Sequence, residues 1–505
     1  MADPFYITTA IHYPNGRPHI GHAYEMIAAD AIARFQRQQG RDVFFQTGTD
    51  EHGLKMVKTA RDRDMTAREL ADEMSSYFSE MAEKLDISCD RFIRTSEADH
   101  YKASQAIWQA MADAGDLYLD RYEGWYSVRD EAFYEEKELV EGEGGEKLSP
   151  QGTPVEWTAE ETWFFKLSKY EKPLLDFYAA NPDFIRPESR RNEILRFVEG
   201  GLADLSVSRT SFDWGVPVPG SPGHVMYVWV DALTNYLTGA GYPDDQERLA
   251  RYWPADIHLI GKDIVRFHAV YWPAFLMSAK IALPKQVFGH GFMLYRDRKI
   301  SKSELAQMER PPVVDPLALA DYYGVDALRY FLLRDVSFGQ DGSFSDEAIV
   351  TRANADLSNS FGNLAQRTLS FIAKNCEGKV ETGRVEEADG VLIAEVENAC
   401  GGFIRAFEDL ALSQGVELWM AGVFACNAYI DAQAPWGLRK TDPERMHAVL
   451  NTLLRAIRRL AVTIAPVVPG SAQKLLDQLG PQGDADFRIA PPTPIFPRLE
   501  LRQEP

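Results

Sequence analysis

The chain has 505 residues, 45% of them apolar, 11% aromatic and 26% charged, enough for roughly three domains of about 150 residues each. This profile excludes a disordered tail and a small disulfide-stapled scaffold, and no run of about 18 apolar residues exists to span a bilayer. Lys and Arg total 54 against 75 Asp and Glu, a net charge of −21, which disfavours broad nucleic-acid binding but permits a local patch that reads one RNA.

Phe5-Tyr6-Ile7-Thr8-Thr9 reads as a strand, followed by a Pro/Gly/His loop. From about Gly21 the pattern turns helical, with Tyr24, Ile27, Ala31 and Phe35 on one stripe, and Gly40 ends that helix before a second strand, Val43–Thr47. Alternation at this spacing predicts a parallel α/β sheet over residues 1–115. Residues 116–225 differ, being rich in Trp, Tyr and Glu with a Gly/Glu turn at 141–145, and read as an inserted module of small β-hairpins. The α/β pattern resumes over 226–347, with the strand Ile257–Ile260, a loop Gly261-Lys262-Asp263, a helix from Ile264 and the strand Gln286–Phe288. From 348 to 505 the β signal stops, and amphipathic runs at 348–374, 391–411, 414–432, 444–465 and 470–479 predict a helical bundle. Cys89, Cys376, Cys400 and Cys426 form no C-x-x-C pair, and the N-terminal residues lack a basic-then-apolar pattern, so a reducing, cytoplasmic setting is expected.

Two motifs carry chemistry. His19-Ile20-Gly21-His22 lies in the loop after the first strand, where a helix N-terminus, a glycine that admits close approach and two imidazoles can meet a phosphate. Taken alone, H-x-G-H is moderately specific and is shared with cytidylyltransferases. Lys299-Ile300-Ser301-Lys302-Ser303 follows the segment Gly289-His290-Gly291-Phe292. Two ammonium groups with small hydroxyl residues between them suit a loop that closes on a triphosphate, although such a run alone is more often a solvated basic turn.

Together the pair resembles the HIGH and KMSKS signatures of class I aminoacyl-tRNA synthetases. The segments Thr9–Gly16, Gly48-Thr49-Asp50-Glu51-His52-Gly53, Tyr227–Leu233 and Gly261–His268 narrow the resemblance to the methionyl-tRNA synthetases over essentially the whole chain. The resemblance implies a Rossmann-like catalytic domain in two halves (1–115 and 226–347), an inserted connective knuckle module (116–225) and an α-helical anticodon-binding domain (348–505). It further implies that His19, His22, Lys299 and Lys302 are catalytic and that Gly21, Gly261, His290 and Gly291 join them in binding ATP, with Mg²⁺. Ala10, Ile11, Tyr13, Trp229, Ala232, Tyr236, Asp263 and His268 are expected to bind L-methionine. Side chains of this set have the apolar, polarisable character a thioether needs, and Asp50 can pair with the α-ammonium. Asp231 and Asp263 are expected to organise the pocket rather than act as bases.

In the helical part, Asn363 and Arg367 share a helix face, and Asn427 precedes Pro435-Trp436. An amide, a guanidinium and an indole can read unpaired bases. The resemblance assigns these five residues to the CAU anticodon of tRNA(Met), whose acceptor end would reach the catalytic domain.

Two departures stand out. Many family members bind zinc in the inserted module through C-x-x-C…C-x-x-H, whereas here Ser127, Asp130 and Ser149 occupy thiolate positions and Gln151 falls near that of the histidine. These are poor zinc ligands, so no structural zinc is expected. After Ser303, the residues Glu304–Pro312 replace a shorter Gly-Asn-containing connection, and the segment Tyr295–Pro312 is expected to close on ATP. A monomer without membrane attachment is expected, since the family's dimers use an appended C-terminal domain. The rivals are an H-x-G-H nucleotidyltransferase, which has no use for a base-reading bundle, and a synthetase-derived RNA-binding protein without catalysis, against which the intact histidines and lysines stand. A synthetase for leucine, isoleucine, valine or cysteine would need a larger editing insertion or thiol-ligated zinc.

Overall fold

The computed structural model describes residues 2–130, 132–142, 145–296, 315–481 and 487–502. They divide into two compact units. The first comprises Met1–Ala29, Gly40–Glu83 and Ser88–His290. At its centre is a six-stranded sheet whose pairings are all parallel. Its strands are β1 (Pro4–His12), β2 (Asp42–Thr49), β3 (Arg91–Arg94), β7 (Ile185–Arg186), β9 (Ile257–Gly261) and β10 (Val287–His290). The spatial order is β3-β2-β1-β9-β10-β7, so the winding direction reverses beside β1. Ligand crevices form at the carboxyl edge of such a reversal. β1 and β2 are buried almost continuously along both faces, as strands covered by helices on either side must be. Those helices include α1 (Ile20–Gln38), α3 (Ala98–Asp113) and α4 (Val228–Gly239), with α2 (Ala67–Lys84) after β2.

A second, four-stranded sheet holds the hairpins expected of residues 116–225. It consists of β4 (Leu117–Ser127), β5 (Ala132–Tyr134), β6 (Glu156–Phe165) and β8 (Leu205–Ser206) in the order β8-β6-β4-β5. Trp125 lies opposite Trp157, their rings edge to face at 5.3 Å. The same stretch also contains the helices Glu171–Ala180 and Glu188–Glu199, which bury Leu174, Tyr178, Ile194 and Val198 at helical spacing. Between them, β7 pairs with β10 at the edge of the parallel sheet. The helix expected from Ile264 is broken into a 3₁₀ turn (Lys262–Ile264), a π turn (Phe267–Tyr271) and an α segment (Trp272–Ser278). In the π turn the Trp272 N–H reaches the Phe267 carbonyl, a widened geometry that sequence periodicity does not reveal.

The second unit comprises Asp30–Gln39, Lys84–Ile87 and Gly291–Pro505. Its helices include α5 (Val325–Asp335), α6 (Asn363–Asn375), α7 (Glu387–Glu408), α8 (Leu412–Gln433), α9 (Pro443–Ile464) and α10 (Pro469–Leu479). The run read at 348–374 is a short helix, Asp346–Arg352, then a π segment, Ala353–Gly362, then α6. α9 starts where Asp442 accepts from the Arg445 N–H and Pro443 occupies the first turn, a strong pair of start signals. Trp419 is fully buried and donates to the Leu460 carbonyl at 2.9 Å. The short helix Pro435–Thr441 escaped the periodicity reading because Pro435 is its one buried side chain. Among the described residues, no helix is long and apolar enough to cross a membrane.

Candidate active site

β1 ends at His12 and α1 begins at Ile20, so the intervening loop lies at the carboxyl edge of the sheet, where the winding reverses. Thr8 pairs with Gln46 but Ile11 pairs with Gly48. This bulge turns the end of β1, as bulges next to sites do. In the first turn of α1 the His19 carbonyl accepts from the N–H groups of His22 at 3.0 Å and Ala23 at 3.2 Å. The His19 N–H donates to His22 Nδ1, and the Gly21 N–H donates to His19 Nδ1, both at 3.1 Å. A ring nitrogen that accepts carries no proton, so each neutral ring bears its proton on Nε2. The two rings stack at 3.8 Å. The backbone of one turn thus fixes a pair of Nε2–H donors side by side, an arrangement suited to phosphoryl oxygens.

A second set of residues meets around α4 and the π turn. His268 Nδ1 lies 2.9 Å from the Ile264 carbonyl and must donate to it. Burial holds the His268 pKa down at about 4, so Nε2 is unprotonated near neutrality and accepts from the Tyr236 hydroxyl at 2.7 Å. The polar ends of both side chains are satisfied by one another and by the backbone, so these buried rings present apolar faces to their surroundings. Burial first, then the charge of Glu25, push the Tyr236 phenol well above its ordinary pKa. Trp229 lies flat on Phe267 at 3.8 Å and edge-on to His268 at 6.1 Å. Ala10 and Ala232 are buried, and Ile11 and Tyr13 are half-buried at the turned end of β1. Tyr13 accepts the Met56 N–H at 3.0 Å. Asp50, buried just past β2, is tied to the end of β1 by its N–H, which donates to the His12 carbonyl at 2.9 Å.

At the ends of β9 and β10 stand Gly261 and His290. A Cβ at Gly261 would come within 2.7 Å of Asp263 Oδ1, so only glycine lets the exposed Asp263 fold back there. His290 Nε2 meets Glu25 at 2.7 Å, both buried. Glu25 is three residues past His22, and sequence reading missed it because a glutamate on a helix is ordinarily solvated. Asp231 is fully buried. Its two oxygens are taken by His52 Nδ1 and His100 Nε2, each at 2.6 Å. Burial would raise its pKa, but the charges and hydrogen bonds of those imidazoles bring it down to about 2. Gly291 belongs to the second unit, and Lys299 and Lys302 lie outside the described residues, as does nearly all of the segment Tyr295–Pro312.

The family described as tRNA synthetases class I (M) matches residues 5–369, and the one described as the anticodon binding domain of methionyl tRNA ligase matches residues 380–490. The chain belongs to the methionyl-tRNA synthetase family. A methionine–tRNA ligase of Brucella suis is 56% identical, with 98% of each chain covered, and one of Mycobacterium bovis is 53% identical, with 99% of each covered. The solved structure of Mycobacterium tuberculosis methionyl-tRNA synthetase in complex with methionyl-adenylate matches with a TM-score of 0.94 at 53% identity, covering 98% of this chain and 100% of that one.

The knuckle of this synthetase departs from the expected arrangement in one residue. Ser127, Asp130 and Ser149 do converge, but the fourth position is filled by Thr153, not Gln151, which is exposed. Gly152, with φ +75°, turns the chain so that Thr153 points inward. Asp130 Oδ2 accepts from Ser149 Oγ and Thr153 Oγ1, both at 2.6 Å, and from Tyr134 at 3.1 Å. Thr153 Oγ1 is 2.7 Å from Ser127 Oγ. Hydroxyls and one carboxylate already bonded to each other do not fit zinc. Elemental analysis should therefore find no stoichiometric zinc, and chelation with Mg²⁺ resupplied should leave activity unchanged. One zinc per chain would refute this.

In the helical unit, Arg367 donates to Asp431 at 2.6 Å, and its guanidinium lies 5.6 Å from the Trp436 ring centroid. Trp436 is 48% exposed. Pro435 starts its helix after Ala434, which is in the left-handed region at φ 42°. Asn427 donates to the Val423 carbonyl at 3.1 Å, and Asn363 is exposed at the start of α6. Arg367 and Trp436 are thus together, whereas among the described residues no side-chain hydrogen bond or ring contact joins Asn363 or Asn427 to them. Asp431, one helical turn past Asn427, is the partner that sequence reading did not include.

Proposed function

We propose that this synthetase activates L-methionine with Mg·ATP and esterifies tRNA(Met) bearing a CAU anticodon. The methionine carboxylate attacks the α-phosphorus, the bond to the β,γ-diphosphate breaks, and pyrophosphate leaves. The Nε2–H groups of His19 and His22 bond the phosphoryl oxygens as their charge grows, with Lys299 and Lys302 neutralising the leaving phosphates. Positioning and electrostatics suffice, without a protein nucleophile. A terminal ribose hydroxyl of the tRNA then attacks the mixed anhydride, releasing AMP. The observation that carries this reading is the imidazole pair, each ring held at Nδ1 by a backbone N–H and stacked on the other at 3.8 Å. Pyrophosphate exchange with each amino acid in turn tests it: methionine alone should support rapid exchange, and equal rates with leucine would sink it.

The thioether is assigned to the cluster of Trp229, Tyr236 and His268, and the α-ammonium to Asp50. Asp50→Ala is expected to raise the KM for methionine by an amount corresponding to about 2–5 kcal/mol, the cost of leaving a buried charge unpaired. An unchanged KM would remove Asp50 from the ammonium site.

Anticodon reading is assigned to Asn363, Arg367, Asn427, Pro435 and Trp436. The exposed indole beside a guanidinium supports this, since stacking on an exposed ring is how single-stranded bases are held. Trp436→Ala should impair tRNA charging by about 1–3 kcal/mol, the worth of one stacked base, while leaving pyrophosphate exchange intact. Equal loss of both activities would make Trp436 a structural residue.

A further inference from the structure

His12 was not among the residues singled out in the sequence. It is 6% exposed, the last residue of β1, and its Nε2 is buried without a hydrogen-bond partner among the described residues. Its ring stands edge-on to His22 at 4.9 Å and lies nearly parallel to Phe78 at 5.5 Å. His22 in turn stacks on His19 at 3.8 Å. Three imidazoles therefore stand in a row, two of them with Nε2–H fixed by backbone donors to Nδ1. The His12 carbonyl accepts from the Asp50 N–H at 2.9 Å. His12 is thus placed between the aspartate assigned to the ammonium and the histidines assigned to the phosphate. In that interval the carboxylate oxygen and the α-phosphorus must meet. Buried polar nitrogens are ordinarily bonded, and an exception in a crevice calls for a ligand atom to complete it.

We infer that His12 is a third imidazole of the adenylation site, its Nε2–H donating to a phosphoryl oxygen of the bound nucleotide. Burial lowers its pKa, with Glu25 opposing and His290 assisting, so the ring stays neutral and can offer one donor. A neutral donor stabilises the charge that develops on the phosphoryl oxygens without fixing a permanent cation next to the methionine ammonium. The inference rests on the ligase reading for its substrate, but the contact is to the nucleotide and not to the amino acid.

The test uses the full chain with His12→Phe, which keeps a ring on Phe78 and removes the nitrogens, and His12→Gln, whose amide NH₂ can replace the Nε2–H. Exchange is measured with whichever amino acid the parent activates, ATP affinity is measured without amino acid, and the thermal midpoint is followed for each variant. His12→Phe should lower kcat for exchange by roughly 10–10²-fold and weaken ATP binding, with the amino-acid KM unchanged within about twofold. His12→Gln should recover most of the loss, and remains informative if the Phe variant folds poorly. Parent-like exchange in His12→Phe, a change confined to the amino-acid KM, or equal loss in both variants would overturn the inference. If the parent activates an amino acid other than methionine while His12→Phe still weakens ATP binding, the methionine reading fails and the His12 contact stands.

Discussion

His22→Ala should slow adenylate formation by about 10²–10³-fold, the usual effect of removing one fixed donor to developing anionic charge. The prediction follows from geometry. His22 Nδ1 accepts from the His19 N–H at 3.1 Å, which fixes the ring's rotamer and leaves Nε2 as its donor nitrogen. The ring is also braced edge-on against Phe78 at 5.1 Å and stacked on His19, so the donor is held in place before substrate arrives. Truncation removes an interaction that strengthens as charge moves onto the phosphate, and the loss should therefore fall on kcat. The methionine KM should change little, because the residues assigned to methionine are built on His268, against which Trp229 and Tyr236 pack. Exchange and tRNA charging should decline together, since both pass through the adenylate, in contrast to Trp436→Ala. Normal adenylation in His22→Ala, followed in a single-turnover assay, would exclude the assigned role.

The placement of several of these residues is legible in the sequence for physical reasons. His19, Gly21 and His22 are readable because a strand, a glycine-bearing loop and a helix start follow in order, and chemistry at such a junction is restricted to few residue types. The residues assigned to the thioether are selected by chemical type once their segments are placed. What escaped depends on contacts between segments far apart in sequence. Nothing in the sequence around Asp231 shows that His52 and His100, supplied by distant segments, occupy both of its oxygens. Thr153 was passed over for Gln151 by counting residues, because the inward turn at Gly152 is set by backbone conformation rather than spacing. The π turn at Phe267–Tyr271 has the composition of an ordinary buried helix, so periodicity alone could not place His268 Nε2 against Tyr236.

The helical unit has an equally specific dependence on one buried charge. Arg329 is fully buried and donates to Asp30 at 2.6 Å, to the carbonyls of Leu85 and Val467 at 3.1 Å, and to that of Pro466 at 3.0 Å. One guanidinium thereby ties residues from three separate stretches of the unit, a use that suits the planar fork of arginine and not the point charge of lysine. Arg329→Met should destabilise the unit by about 3–5 kcal/mol, because it removes the fully buried one of the two guanidinium groups paired with the Asp30 carboxylate and leaves buried backbone acceptors without donors. The loss should sit toward the low end of that range, since Arg34 Nε also bonds Asp30 at 2.7 Å and is itself partly exposed. Denaturant unfolding of the full chain, followed by signals from both units, would register the shift. The decisive comparison adds Asp30→Leu to Arg329→Met. If the cost arises from an incompletely compensated buried charge, the double variant should be more stable than Arg329→Met alone, because the buried carboxylate is gone. If the double variant is instead less stable by the sum of the two single effects, Arg329 acts through its carbonyl contacts and packing, and the Asp30 pairing contributes nothing of its own.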